Sequence, residues 1–206
     1  MELKVENLTK RYGGRTVLDG VSFTLREGVT CLMAPSGAGK TTLLRLLLGL
    51  EKADGGQITG LAGRRVGTVF QEDRLLPGMD AEGNLRFALG AAYDGEKAAE
   101  LLGALGLGDA GGKAVRDYSG GMRRRLALAR ALLFPCDILL LDEPFTGLDP
   151  ENRARAAERV RRSGAGSRRR RSAACERIFF SNQKNIPSRF PRKIPGGISY
   201  FPPGPP

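Results

Sequence analysis

Two short segments hold residues whose types and spacing could do chemistry on a phosphate. The first is Ala34, Pro35, Ser36, Gly37, Ala38, Gly39, Lys40, Thr41 and Thr42, a Gly-rich stretch that ends in a lysine and two hydroxyls. Small residues let successive backbone N–H groups turn inward around a phosphate, and a helix opening at the lysine adds its partial positive charge. Lys40 is then placed to reach β- and γ-phosphate oxygens, and the Thr41 hydroxyl to ligate Mg2+. Ala34 stands where the general pattern has glycine, a mild departure, because alanine costs little while its φ stays negative. The second segment is Asp142-Glu143, closing the aliphatic run Ile138–Leu141. Asp142 would hold Mg2+ through water, and Glu143 would polarise an attacking water as general base. Alone, each has an ordinary explanation, a Gly-rich turn or a solvated strand end. Together, in this order, they describe one site.

Such a site needs a parallel sheet behind it, because ligands bind at the carboxyl ends of parallel strands. Val29–Met33 reads as the strand before the loop, entered through a turn at Gly28, and Lys40–Leu50 as the helix after it, ending near Gly49. Leu3–Val5, Val17–Leu25, Ile58 and Val66–Phe70 read as further strands, with Gln71 at the end of the last. Ile138–Leu141 is apolar throughout, as expected of a strand buried on both faces. Residues 73–117 turn rich in Ala, Leu and Gly, with helical spacing from Glu96 to Leu105, and predict a helical insert. Met122–Phe134 predicts a helix burying Leu126, Ala129, Leu132 and Leu133.

Just before that helix, Ser119-Gly120-Gly121 reads alone as an N-cap with flexible glycines. Arg123, Arg124 and Arg125 oppose the helix dipole in its first turn, a conflict that a docked anion would relieve.

The 206 residues suffice for one α/β domain with a core. Three scattered cysteines exclude a disulfide framework and fit a reducing compartment. No apolar run reaches the roughly 18 residues of a spanning helix, so a membrane link requires a partner. The start, MELKVENLTKRYGG, has no signal-peptide core, and a cytoplasmic protein is expected. The net charge of +11 misleads: residues 1–150 carry 19 basic and 19 acidic side chains, residues 151–206 carry 14 and 3. No nucleic-acid partner is therefore expected of the fold itself.

The chain resembles the ATP-binding subunits of ABC transporters over about residues 2–160, with the motifs in the family's order. The resemblance implies an α/β P-loop NTPase (RecA-like) fold: a mixed sheet, an antiparallel β subdomain, and a helical subdomain inserted at about 73–125. Tyr118-Ser119-Gly120-Gly121-Met122 is similar to the signature Leu-Ser-Gly-Gly-Gln, which caps the γ-phosphate of ATP held by the opposite subunit. Gln71 matches the glutamine that touches Mg2+ and water and reports nucleotide state to the permease. Tyr12 matches the aromatic stacked on adenine, although a tyrosine beside Gly13-Gly14 also suits a turn. Asp149 matches the D-loop, which contacts the second subunit. ATP and Mg2+ are implied as substrate and cofactor. The implied partners are a transmembrane permease, a second ATP-binding subunit (the same chain or a paralogue) and, indirectly, a solute-binding protein. The implied place is the inner face of the membrane, through the permease. Phe70–Pro77, FQEDRLLP, is similar to the nitrate, sulfonate and taurine importers.

The carboxyl-terminal part departs from that family. The family has a strand and a switch histidine roughly thirty residues past the catalytic glutamate; this chain has no histidine anywhere. Residues 160–206 hold 11 basic side chains, one acid and 7 of the 12 prolines, and only Ile178–Phe180 suggests a strand. Such a segment is expected to be irregular or disordered. It is either a basic extension, for an acidic membrane or RNA, or the product of a shifted reading frame from about residue 160. A frameshift is preferred, because the sheet would lack strands it needs and would expose an apolar edge. Two other functions stay open: a nucleotide-binding module that does not hydrolyse, and a soluble ABC protein acting on ribosomes or nucleic acid. Against the latter, the chain has room for one cassette and no sustained heptads.

Overall fold

The computed structural model of the chain describes residues 2–25, 29–162, 176–181 and 199–200. Strands β1 (Leu3–Tyr12) and β2 (Arg15–Leu25) form an antiparallel hairpin in which Tyr12 pairs with Arg15. The chain then runs through β3 (Val29–Met33) and helix α1 (Lys40–Leu47), and returns as β4 (Gly55–Thr59) along the other side of β1. This gives a three-stranded antiparallel sheet in the order β2-β1-β4.

Next come β5 (Val66–Val69), α2 (Ala81–Leu89), α3 (Gly95–Ala104), α4 (Gly120–Leu133), β6 (Ile138–Asp142), α5 (Pro150–Arg162), β7 (Glu176–Ser181) and β8 (Ser199–Tyr200). The second sheet has the order β5-β6-β7-β3-β8. All its pairings are parallel.

Strand β6 shows why apolar alternation is absent from its sequence. Successive side chains point to opposite faces. Ile138 and Leu140 join Leu43, Leu44 and Leu47 of α1 and the inner face of the antiparallel sheet in one core. Leu139 and Leu141 join Leu128 of α4 and Ala156, Ala157 and Val160 of α5 in another. A third cluster unites α2, α3 and the start of α4 through Leu85, Ala98 and Leu126. These helices fall within and just after the segment 73–117.

Helix α3 falls where the spacing places it. Helix α2 falls inside the segment 73–117 expected to be helical, although its own bounds were not read from the sequence; Asp80 caps it by accepting from Gly83 N at 2.8 Å. Helix α4 corrects the expected face: Arg124, Leu126, Ala127, Leu128, Ala129 and Ala131 are buried, while Leu132 and Leu133 are half-buried. With the sheet on one side and the insert on the other, α4 packs over most of its circumference.

The expected loss of a sheet strand is also corrected. β7 lies between β6 and β3, with Leu140 opposite Ile178 and Thr30 opposite Ile178, and Ile178 is 1% exposed. β6 therefore has a partner on each side. The Gly28 turn, the Arg168–Arg171 run, the Pro-rich end and most of the segment 161–206 lie outside the described residues.

Candidate functional site

The Gly-rich loop leaves the end of β3 and enters α1 at Lys40. Gly39 occupies the position before the helix at φ 80. A Cβ there would sit 2.8 Å from Leu18 Cδ2 and 3.1 Å from the Val17 carbonyl, so both backbone angle and space require glycine. Lys40 Nζ donates to the carbonyls of Ala34 and Pro35, each at 2.9 Å. The ammonium is held against the loop by these two carbonyls.

Thr41 Oγ1 donates to Asp142 Oδ2 at 3.0 Å, joining residues 101 apart in sequence. Asp142 is 1% exposed. Burial pushes its carboxyl above the usual 3.8; the Thr41 hydrogen bond pulls back, and the Glu143 charge pushes the same way as burial. Removing a carboxylate from water without a full countercharge is the cause.

Glu143 follows at φ 48, a left-handed conformation that a side chain adopts at a cost. The turn is held from several sides. Thr146 N donates to the Glu143 carbonyl at 3.1 Å, and the Thr146 hydroxyl donates to Glu143 Oε2 at 3.1 Å. Arg124 Nη2 donates to the same carbonyl at 2.8 Å.

These residues surround a cavity of about 390 Å³ lined by Val17, Ser36, Gly37, Gly39, Lys40, Thr41, Thr42, Gln71, Asp142, Glu143 and Thr146. Its size falls in the range of small-molecule sites. Ala34, Pro35 and Ala38 belong to the same loop without lining it. Tyr12 is 42% exposed at the end of β1. Its hydroxyl donates to Glu51 and also interacts with Thr42, which lines the cavity.

The sequence family described as ABC transporter matches residues 18–146. The chain belongs to the ABC transporter family of ATP-binding proteins. It is 45% identical to the Nod factor export ATP-binding protein I of Ralstonia nicotianae, over 77% of this chain and 54% of that protein. With the sulfate/thiosulfate import ATP-binding protein CysA 2 of Chromobacterium violaceum it shares 40% identity, over 82% of this chain and 49% of the other. With the aliphatic sulfonates import ATP-binding protein SsuB 1 of Nocardia farcinica it shares 44%, over 77% and 64%. The chain thus spans about half the length of the curated relatives it matches, and their names include both export and import.

Residues 118–122, the segment similar to the family's signature, lie outside the cavity. Ser119 caps α4, its hydroxyl accepting from Met122 N at 3.2 Å. Gly120 is exposed, and Gly121 and Met122 are half-exposed. Asp149 caps α5, accepting from Asn152 N at 2.9 Å and Asn152 Nδ2 at 2.6 Å. These hydrogen bonds hold its carboxyl below the usual range.

The three arginines that follow, Arg123, Arg124 and Arg125, each donate to protein acceptors. Arg123 donates to the Tyr118 carbonyl, and Arg125 to the carbonyls of Leu105 and Gly106 and to Asn152. Arg124 is buried on carbonyls from two other segments. These carbonyl acceptors offset part of the conflict with the dipole. Sequence reasoning passed over Val17, Thr146 and Arg124 as site residues. Of these only Arg124 carried a signal, as one of three consecutive cations in the first turn of α4.

Among the described residues no cluster of three or more His, Cys, Asp or Glu side chains could hold a metal. Mg2+ needs less, because it binds through one or two carboxylates while phosphates and waters complete its shell. The Thr41 hydroxyl, the Asp142 carboxylate and Gln71, oxygen donors around one cavity, fit that pattern. No helix among the described residues is long and apolar enough to cross a membrane.

Proposed function

We propose that the chain binds and hydrolyses MgATP as the subunit that energises an ABC-type membrane transporter of a small solute. The carrying observation is the 3.0 Å hydrogen bond between Thr41 and Asp142, which sets the loop's hydroxyl against the buried carboxylate, both lining the cavity. Residues 36–42 wrap the phosphates with backbone N–H groups, and Lys40 leaves its loop carbonyls for the β- and γ-phosphates. Thr41, Asp142 and Gln71 hold Mg2+, which when bound offsets the negative charge of the phosphate oxygens. Glu143, steadied by Thr146, accepts a proton from the attacking water. Tyr12, exposed and touching the cavity-lining Thr42, supplies a face for adenine.

Ser119, Gly120, Gly121 and Met122 cap the γ-phosphate of ATP held by a second subunit, a copy or a paralogue, and Asp149 lies in that interface. The exposure of the signature glycines supports this arrangement. The partner in the membrane is a permease, with a solute-binding protein acting through it, and the chain sits on the cytoplasmic side. Similarity to sulfonate and sulfate import proteins supports a small anionic solute.

One sequence fact favours a second function. The chain has no histidine to contact the γ-phosphate, so it would bind MgATP as a clamp without turning it over. Steady-state hydrolysis by the full chain beside Glu143→Gln separates the two. Turnover that disappears in the variant supports the ATPase; equal, background rates in both, with ATP still bound, support the clamp.

A further inference from the structure

We propose that Arg124 is a positioning residue for the Mg2+-dependent part of nucleotide binding: its guanidinium fixes the Gln71 loop against the Asp142–Glu143 strand end. The inference rests on the nucleotide site proposed above. Arg124 does not line the cavity and is 5% exposed. Its two terminal nitrogens divide the work. Nη1 donates to the carbonyls of Phe70 at 2.6 Å and Gln71 at 3.2 Å, and to Asp73 Oδ1 at 3.1 Å. Nη2 donates to the carbonyls of Asp142 at 3.1 Å and Glu143 at 2.8 Å.

One planar group therefore spans the two segments that bring Gln71, Asp142 and Glu143 to the cavity. It also holds the Glu143 peptide in its left-handed turn, at φ 48. Burying a guanidinium is tolerable only because its donors meet these acceptors. Lysine could not replace it, since an ammonium is a point donor without the fork that reaches both sides. Arg124 rides on α4, whose first turn carries Ser119 and Met122. A shift of the signature end of α4 would thus be passed to both sides of the Mg2+ position.

Arg130 supplies a comparison. Also on α4, it donates to the carbonyls of Arg74 at 2.6 Å and Asp73 at 2.8 Å. It tethers the same loop, but these bonds do not extend to Asp142 or Glu143.

The test is calorimetric titration of ATP into the full chain, with Mg2+ and with EDTA, for wild type, Arg124→Gln, Arg124→Lys and Arg130→Gln, beside their melting temperatures. Outer-shell partners of metal sites typically change affinity by about 10–100-fold. Arg124→Gln should keep the EDTA affinity within about twofold and lose roughly tenfold of the gain that Mg2+ confers. Arg124→Lys should recover part of that gain, and Arg130→Gln should keep the wild-type ratio while melting lower. If Arg124→Gln fails to fold, Arg124→Lys carries the measurement and must show a reduced ratio. A wild-type ratio in the Arg124 variants overturns the proposal, as does a parallel loss of both affinities, or an equal loss of ratio in Arg130→Gln. Wild type that binds no ATP in either buffer removes the nucleotide site itself, and the proposal with it.

Discussion

Thr41→Val removes the hydroxyl that donates to Asp142 Oδ2 while keeping the side chain's volume. Asp142 is 1% exposed, so its carboxylate cannot turn to bulk solvent for another donor. A hydrogen bond to a charged group contributes roughly 1.5–3 kcal/mol net. Thr41 also faces the cavity, and a water entering there would replace part of the bond. That sets the loss near the lower end, about 1.5–2 kcal/mol, or about 3–8 °C of Tm for a chain of this length.

The sign of the pH dependence follows from Asp142. Burial raises its carboxyl in the folded state, and the Thr41 bond is the largest opposing effect. Stability from a group raised in this way is whole below its ordinary 3.8 and falls as pH rises through the folded value. The Thr41 bond limits that fall, so its removal costs most at neutral pH and little near pH 4. Urea unfolding of wild type, Thr41→Val and Thr41→Ser at both pH values reads this directly. Equal destabilisation by Val and Ser, or a Val penalty as large in acid as at neutrality, would refute the electrostatic role of this hydrogen bond.

Asp142→Asn should melt higher than wild type at pH 7.5 without nucleotide, because it removes a buried charge; in the same thermal scans, stabilisation by MgATP over ATP with EDTA should vanish. Gly39→Ala should cost roughly 2–5 kcal/mol, adding the left-handed penalty to the contact with Leu18 and Val17. Gly37→Ala, at φ 81 with nothing within 4 Å, should cost only about 1–2 kcal/mol in the same urea titrations. Burial pushes the Cys31 thiol up to about 11, with the Glu143 charge adding to it; its peptide-mapped alkylation at pH 8 should therefore track global unfolding rather than thiol ionisation.

The cavity was legible in the sequence because its chemistry is carried by contiguous residues. Ser36–Thr42 and Asp142-Glu143 each announce themselves by composition, and β6 by its unbroken apolar run. What joins them was not legible. Arg124 reads as one of three cations at a helix start suited to an anion until Phe70 and Gln71, more than fifty residues upstream, supply carbonyls to it. Thr146 has no distinguishing neighbour in sequence, and its importance arises from the turn that folds its hydroxyl onto Glu143. The bounds of helix α2 within the expected insert were not legible because AEGNLRFAL has a glycine and an asparagine inside it. Asn84 is buried there by bonding Leu76 N at 2.7 Å and the Leu76 carbonyl at 3.0 Å, a tertiary contact that outweighs its poor helix propensity. β7 was underrated for a similar reason: a short strand in a basic segment gains its place from β6 and β3 on either side.

Equilibrium binding of ATP to the full chain, with Mg2+ and with EDTA, against Lys40→Ala tests the phosphate site most directly. Saturable binding that tightens with Mg2+ and collapses in Lys40→Ala is the predicted result. Binding that ignores both Mg2+ and the loss of Lys40, or no binding at all, would contradict a nucleotide site built on Thr41 and Asp142.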